Sequence, residues 1–174
     1  MTMLEQKHLA LLDEAKRRGQ PETGLRLCLE ILALSSAIDR DCAARLAPHQ
    51  LSEGKFVLLF LLHDRPEGLS PHELAERAGV TRATITGLLD GLERDGFLAR
   101  HAGLEDRRKV SVRLSAKGQA AARVLFDEHT KWIATLFAGF SADDRQMFGD
   151  LLRRVWQNLD PTVTQASAQA AEPG

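Results

Sequence analysis

The 174-residue sequence predicts a mainly α-helical protein with one small β-hairpin, which is an α+β fold class. Three observations predict this class. Apolar residues recur at helical spacing along most of the chain, hydroxyl residues precede several of these stretches, and residues 110–115 alternate apolar with polar side chains. We therefore expect helices on both sides of a single two-stranded hairpin.

The first two helices are predicted at residues 4–18 and 22–46. Gly19 and Pro21 separate them, because glycine accepts the left-handed conformation that ends many helices and proline cannot continue one. From 27 to 34 the second helix is apolar except for one glutamate, which is more than a helix covered on one face requires. We expect it to pack on its own domain and on a second subunit.

Hydroxyl side chains mark the starts of the next three helices. Ser52, Ser70 and Thr81 each precede an apolar stretch, where a side-chain oxygen can accept hydrogen bonds from the first free backbone N–H groups. Ser70 is followed three residues later by Glu73, which is the spacing of a capping box. Gly79 stands where a tight turn would need a left-handed residue. The sequence therefore predicts two short helices joined by a tight turn, a helix-turn-helix.

The hairpin is predicted from the segments FLARH and KVSVRLS, which a loop from Ala102 to Arg108 joins. Ser115 and Ser141 are the expected N-caps of two last helices. The final segment, residues 161–174, is small and polar and is expected to be disordered.

The overall composition gives no indication of a polyanionic partner. The formal net charge is −1 and the isoelectric point about 6.6, so such a partner would have to be recognised by locally concentrated charge. The apolar run from Phe56 to Leu62 is far shorter than the roughly 20 residues that span a bilayer. The first 19 residues are polar and amphipathic, unlike a signal peptide. We expect a cytoplasmic protein.

The helix that follows Thr81 has two contrasting faces. Its apolar positions follow helical spacing at Ile85, Leu88, Leu89 and Leu92. The opposite face carries Arg82, Thr84, Thr86, Gly87 and Asp90. Short hydroxyls, a glycine and one arginine suit a helix lying among phosphates and base edges, whereas a solvated helix more often carries Glu and Lys. The apolar spacing alone would fit any three-helix packing unit.

The hairpin carries the densest positive charge of this region. Between Arg100 and Arg113 there are five Lys or Arg residues against two acidic residues, a local charge of +3. Three of them stand together at the tip: Arg107, Arg108 and Lys109. Such a tip could reach a minor groove or a run of phosphates. A basic hairpin directly after a helix of this kind predicts a winged helix-turn-helix that binds double-stranded DNA.

The hairpin also carries a family resemblance. The pattern DxRxxxVxLSxxG, which begins at Asp106, resembles the wing signature of the MarR family (multiple-antibiotic-resistance regulators). The segments LSEGKFVLLFLL and LSPHELAERAGVTRATITGLLDGLERDGFLAR resemble the helices that precede the wing in that family. The likeness runs from about residue 22 to 159. It implies an obligate, triangular homodimer, usually a repressor that small, often aromatic or phenolic, ligands or oxidation release from DNA.

The resemblance assigns a DNA-contacting role to several residues. Arg108 would enter the minor groove, and Asp106 would be its acidic partner in the wing, with Arg107 and Lys109 beside them. The major groove would be faced by Arg82, Thr84 and Thr86, and phosphates by Ser70 and Thr81.

Four segments follow from these elements. Residues 1–48 and 116–160 are the two parts of a helical dimerisation domain, residues 49–115 the winged helix-turn-helix DNA-binding domain, and residues 161–174 the tail. The predicted function is sequence-specific transcriptional regulation by a homodimeric repressor on a palindromic operator, released by a small ligand or by thiol oxidation. The alternative is a winged helix that binds protein or serves structurally, which a salt-dependent gel shift separates from it.

Four residues are candidate contacts for a small effector: Arg26, Phe56, Phe60 and His63. The resemblance implies effector binding in a cleft between the first two long helices. His63 could receive a phenol or a carboxylate there, or it could satisfy a backbone carbonyl. Arg26 could neutralise an acidic ligand, or it could belong to a solvated helix face.

Two cysteines, Cys28 and Cys42, fall in one predicted helix about 21 Å apart along its axis, so they cannot form a disulfide with each other. The placement of Cys28 resembles that of the reactive cysteine in the organic-peroxide-sensing branch of the family. That branch orients its thiol with tyrosines, and this chain has none. A core or interface role for Cys28 is therefore favoured over a redox role.

The sequence contains no constellation typical of an enzyme. There is no nucleophile with a base and an orienting group, and no glycine-rich phosphate loop. The six histidines are scattered without the spacing of metal ligands. We therefore expect neither catalysis nor a metal or other cofactor.

Overall fold

The computed structural model describes residues 3–102 and 110–159, and it confirms the mainly helical fold with one small antiparallel sheet. Every helix and strand predicted within these residues is present. The elements are α1 (Gln6–Arg17), α2 (Glu22–Leu46), α3 (Glu53–His63), α4 (Pro71–Ala78), α5 (Arg82–Arg94), β1 (Leu98–Ala102), β2 (Val110–Leu114), α6 (Ala116–Leu136) and α7 (Ala142–Gln157). Among the described helices, none has the length and apolar character needed to cross a membrane.

The predicted caps begin the helices. Ser70 forms the complete capping box, because its Oγ accepts a hydrogen bond from the Glu73 N–H at 3.2 Å and the Glu73 carboxylate accepts one from the Ser70 N–H at 2.8 Å. The Ser70 N–H and the Ser70 hydroxyl both donate to the Glu73 carboxylate, which lowers the pKa of Glu73. Four other hydroxyls each accept a hydrogen bond from the backbone N–H three residues later, those of Ser52, Thr81, Ser115 and Ser141. Local sequence therefore fixes where these helices begin.

The chain forms two compact units, which divide after Val124. The core of the first unit lies between α3, α4, α5 and the sheet. Its most deeply buried side chains are Leu58, Leu59, Leu62, Leu74, Ile85, Leu89, Leu92 and Val112. Because these residues come from three helices and one strand, they hold the α4–α5 pair against both α3 and the hairpin.

The sheet is an antiparallel pair extended by one further residue. Strands β1 and β2 pair so that Leu98 faces Leu114 and Arg100 faces Val112. On its other side Val112 exchanges two backbone hydrogen bonds with Leu69, of 2.8 and 3.1 Å. Gly68 precedes this bridge with φ +79°, and a Cβ there would overlap the Val112 carbonyl oxygen. The loop before α4 is thus tied to the hairpin, which the sequence did not predict.

Helix α1 covers only part of α2. Leu4, Leu12 and Leu29 form a small buried cluster between them. Four other large apolar side chains of α2 are exposed in the single chain: Leu27 at 56%, Ile31, Leu32 and Leu34. The prediction that α2 packs on its own domain is therefore confirmed for one strip of the helix, and the exposed strip is available to a second subunit.

The second unit contains the C-terminal part of α6 and the whole of α7. Phe137, Phe140 and Phe148 pack together with ring centroids 5.8 to 6.3 Å apart, which fixes the turn between the two helices. Helix α7 carries an apolar stripe formed by Phe148, Leu151, Leu152, Val155 and Trp156. Apart from the half-buried Phe148 it is solvent-exposed in the single chain, with Trp156 at 76%. The predicted tail, residues 161–174, lies outside the described residues, and the division into dimerisation and DNA-binding segments stays a prediction.

Candidate nucleic-acid interface

Helix α5 presents the polar face predicted from its sequence to solvent. Ile85, Leu89 and Leu92 are buried, and Leu88 is half-buried. The exposed residues are Arg82, Thr84, Thr86, Gly87 and Asp90. The two faces differ in chemistry because only the inner one packs on α3 and the sheet. The first two turns of the helix thus place an arginine, two hydroxyls and a glycine on an open surface.

The hydroxyls at this surface already have partners within the chain. The Oγ1 atoms of Thr81 and Thr84 lie 2.9 Å apart, and Thr86 donates its hydroxyl to the Arg82 carbonyl at 2.9 Å. A hydroxyl that donates to the backbone still has lone pairs with which to accept. Ser70, by contrast, is bound to the Glu73 carboxylate, a negative group that would repel a neighbouring phosphate. The predicted phosphate role is therefore less favoured for Ser70 than for Thr81.

Gly87 is an open position on the exposed face of α5. Apart from its chain neighbours and the backbone of the helix itself, no atom lies within 4 Å of a Cβ built on it. Glycine inside a helix costs about 0.5–1 kcal/mol relative to alanine. Nothing in the described part of the chain requires a glycine at this position.

Two of the five basic residues of the hairpin are engaged inside the protein. Arg100 donates to Glu93 at 2.6 Å and to Asp90 at 2.7 Å, and these carboxylates, Asp90 first, raise its pKa. Arg113 donates to the Glu67 carbonyl at 3.0 Å. The local charge of +3 counted from the sequence therefore overstates the positive charge that the strands present to a partner. The remaining positive charge is that of the predicted tip, where Asp106, Arg107, Arg108 and Lys109 lie outside the described residues.

A second ion pair holds the C-terminal end of α5 against α3. Lys55 of α3 lies 2.7 Å from the Asp95 carboxylate, and both side chains are mostly buried. This hydrogen bond lowers the pKa of Asp95. Lys117 of α6 donates to the Asp95 backbone carbonyl at 2.7 Å and lies 4.2 Å from the centre of the Phe97 ring. These contacts were missed from the sequence, because residues 20 to 40 positions apart carry no local signal.

The candidate effector residues have unequal exposure. Phe56 is buried at 7% and Phe60 is exposed at 48%, although both lie on α3 with His63. The His63 Nδ1 atom lies 3.0 Å from the side-chain oxygen of Gln119, so the partner is a side-chain amide and not the backbone carbonyl considered from sequence. Arg26 is exposed on another helix, α2. An effector could therefore reach Phe60 and the edge of His63 more easily than Phe56.

Both cysteines are free thiols. Cys28 is exposed, so it is not a core residue of the single chain, and the interface and redox interpretations remain. Cys42 is buried, and this burial raises the pKa of its thiol. Within residues 3–102 and 110–159, no three His, Cys, Asp or Glu side chains are grouped to hold a metal ion.

The helix pair, the hairpin and the outward face of α5 define the class of protein: a winged helix-turn-helix transcriptional regulator, not an enzyme. A family model described as MarR matches residues 51–110. The transcriptional repressor YetL of Bacillus subtilis is 38% identical over 162 residues, which cover 90% of this chain and 97% of YetL. The chain belongs to the MarR family.

Solved structures show the same fold. FabT of Streptococcus pneumoniae, solved in complex with DNA, superposes with a TM-score of 0.67 at 22% identity, over 78% of this chain and 96% of FabT. The regulator PcaV of Streptomyces coelicolor, solved with its natural ligand, gives a TM-score of 0.59 at 25% identity, over 72% of this chain and 90% of PcaV.

Proposed function

We propose that this protein is a repressor that binds a palindromic operator in double-stranded DNA as a homodimer. The observation that carries the proposal is the exposed polar face of α5, directly before a hairpin with a basic tip sequence. In this proposal α5 lies in the major groove and Arg108 enters the minor groove. The repressor name of YetL and the DNA complex of FabT support it.

Dimerisation would cover the exposed apolar strips of α2 and α7. Large contiguous apolar surfaces on a single chain are typical of interfaces. A two-fold dimer presents two copies of α5, so each operator would consist of two inverted half-sites about one helical turn, 10 to 11 base pairs, apart. A footprint on a duplex that the protein selects from a random-sequence pool tests this geometry.

Release from DNA would follow binding of a small aromatic or phenolic effector beside α3. Phe60 offers an exposed ring and His63 a hydrogen-bonding edge, while Arg26 supplies a positive charge on α2. The ligand complex of PcaV supports a ligand-responsive function. Thermal melting of the protein with a panel of phenols and aromatic acids tests it, because a bound ligand raises the melting temperature. Such a regulator would act in the cytoplasm, where its DNA is.

The first prediction concerns the wing tip. Arg108→Ala should weaken binding to the selected duplex by about 1–3 kcal/mol, because each subunit loses a charged, hydrogen-bonding group in the groove. Lys109→Ala is the control for charge alone. It should weaken binding to all DNA sequences alike. It should also reduce the slope of log affinity against log salt concentration by roughly one per lost phosphate contact. Titrations at several salt concentrations measure both, and unchanged operator affinity in Arg108→Ala would contradict the proposal.

The second prediction concerns the open glycine. Gly87→Ala should stabilise the fold by up to about 1 kcal/mol, since alanine favours helix and meets no neighbour, while operator affinity falls because the methyl group obstructs close approach to DNA. Gly24→Ala is the matched control, because Gly24 is also helical, exposed and without neighbours. It should not change DNA affinity. Denaturation and binding titrations measure the two effects, and equal affinities for both variants would count against α5 as the contacting helix.

A further inference from the structure

One arginine joins the hairpin to helix α5. The Arg100 guanidinium in β1 donates to both Glu93 and Asp90, and the Arg100 backbone N–H donates to Glu93 at 3.1 Å. Its side chain is only 29% exposed. Main chain and side chain of the same residue are therefore fixed to the same helix. A planar guanidinium holding two carboxylates restricts orientation as well as distance.

The position of this contact matters more than its strength. Arg100 lies two residues before the described end of β1, and the basic tip follows directly in the sequence. Asp90 lies one turn from Thr86 on the exposed face of α5. The contact therefore lies between the polar face of the helix and the base of the hairpin. At this contact Arg100 also neutralises the negative charge of Asp90 on the polar face of α5.

We propose that Arg100 is a positioning residue, which fixes the wing relative to α5 so that the wing tip and the helix engage DNA together. This inference depends on the proposed function. Arg100 itself does not contact DNA, because both carboxylates hold its guanidinium. Without it, β1 would keep its pairing with β2, and the buried Val112 would keep the hairpin on the core. The hairpin would, however, lose the side-chain contact that fixes β1 against α5, and Arg108 would reach the groove in only a fraction of complexes.

A double-mutant cycle tests the proposal with the selected duplex as probe. In the wild type, Arg108→Ala should lower affinity by about 5- to 150-fold. In an Arg100→Gln background the same change should lower it by less than about 3-fold, because the wing contribution is already lost. Thr86→Ala on α5 should lower affinity by the same factor in both backgrounds. Arg100→Lys keeps the charge but not the two-carboxylate geometry, so it should behave like Arg100→Gln.

Arg113→Gln is the matched control, since it removes one positive charge from the paired strand while leaving the contact with α5 intact. Arg108→Ala should keep its full effect in this background. Equal effects of Arg108→Ala in the wild type and in Arg100→Gln would overturn the inference while leaving the proposed function standing. The inference would also be overturned if Arg108→Ala lost as much of its effect in the Arg113→Gln background as in the Arg100→Gln background. If Arg108→Ala had no effect on wild-type binding, the proposed function itself would fail.

Discussion

Replacing Leu152 with glutamate should convert the protein from a dimer to a monomer and lower its affinity for the operator by about 100-fold or more. Leu152 is exposed in the centre of the apolar stripe of α7, between Phe148 and Trp156. In a two-fold dimer the change would place two carboxylates in an apolar interface, where an unpaired charge is strongly unfavourable. Loss of the dimer also removes the gain that two linked DNA contacts provide, on the order of 10²–10⁴.

Sedimentation and binding titrations measure this prediction. Gln157→Glu adds the same charge to the same helix at an exposed polar position, and it should leave both dimerisation and DNA binding unchanged. A wild-type chain that sedimented as a folded monomer at micromolar concentration would contradict the proposed dimer. A dimeric Leu152→Glu variant would show that this stripe of α7 is not the interface.

The second large effect is expected inside the winged helix. Leu89→Ala should lower the free energy of unfolding by about 2–5 kcal/mol, because Leu89 is 1% exposed and its removal leaves a cavity between α5 and its neighbours. Thr86→Ala, on the exposed face of the same helix, should change stability far less. It should instead relax base preference at one position of the operator, since it removes a group proposed to face the bases.

Urea denaturation and a comparison of binding to single-base operator variants separate these two effects. We expect Leu89→Ala to keep its sequence preference wherever it is folded, and Thr86→Ala to keep its stability. If Thr86→Ala destabilised the protein as strongly as Leu89→Ala, the assignment of the two faces would be wrong. If it left base preference unchanged, Thr86 would not be a specificity residue.

Local sequence determined where the helices begin and which way α5 faces. The capping box of Ser70 and Glu73 depends on residues three positions apart, and the faces of α5 depend on helical periodicity. Both signals are contained within a few turns, so they can be interpreted without the rest of the molecule. The outward position of Thr86 was predictable for that reason. The roles proposed for the wing tip come from the sequence and from family resemblance alone.

Tertiary structure decided which charges are free and which elements are joined. Sequence alone counted Arg100 as a free positive charge, yet Asp90 and Glu93 hold it in the folded chain. Leu69 joins the sheet through Val112, and Lys55 finds Asp95 only when α3 packs on α5. These pairs bring distant elements together, so they exist only after the core has packed and leave no periodic trace in the sequence. Local spacing sets the face that each helix presents, and packing of the core sets the partners it meets.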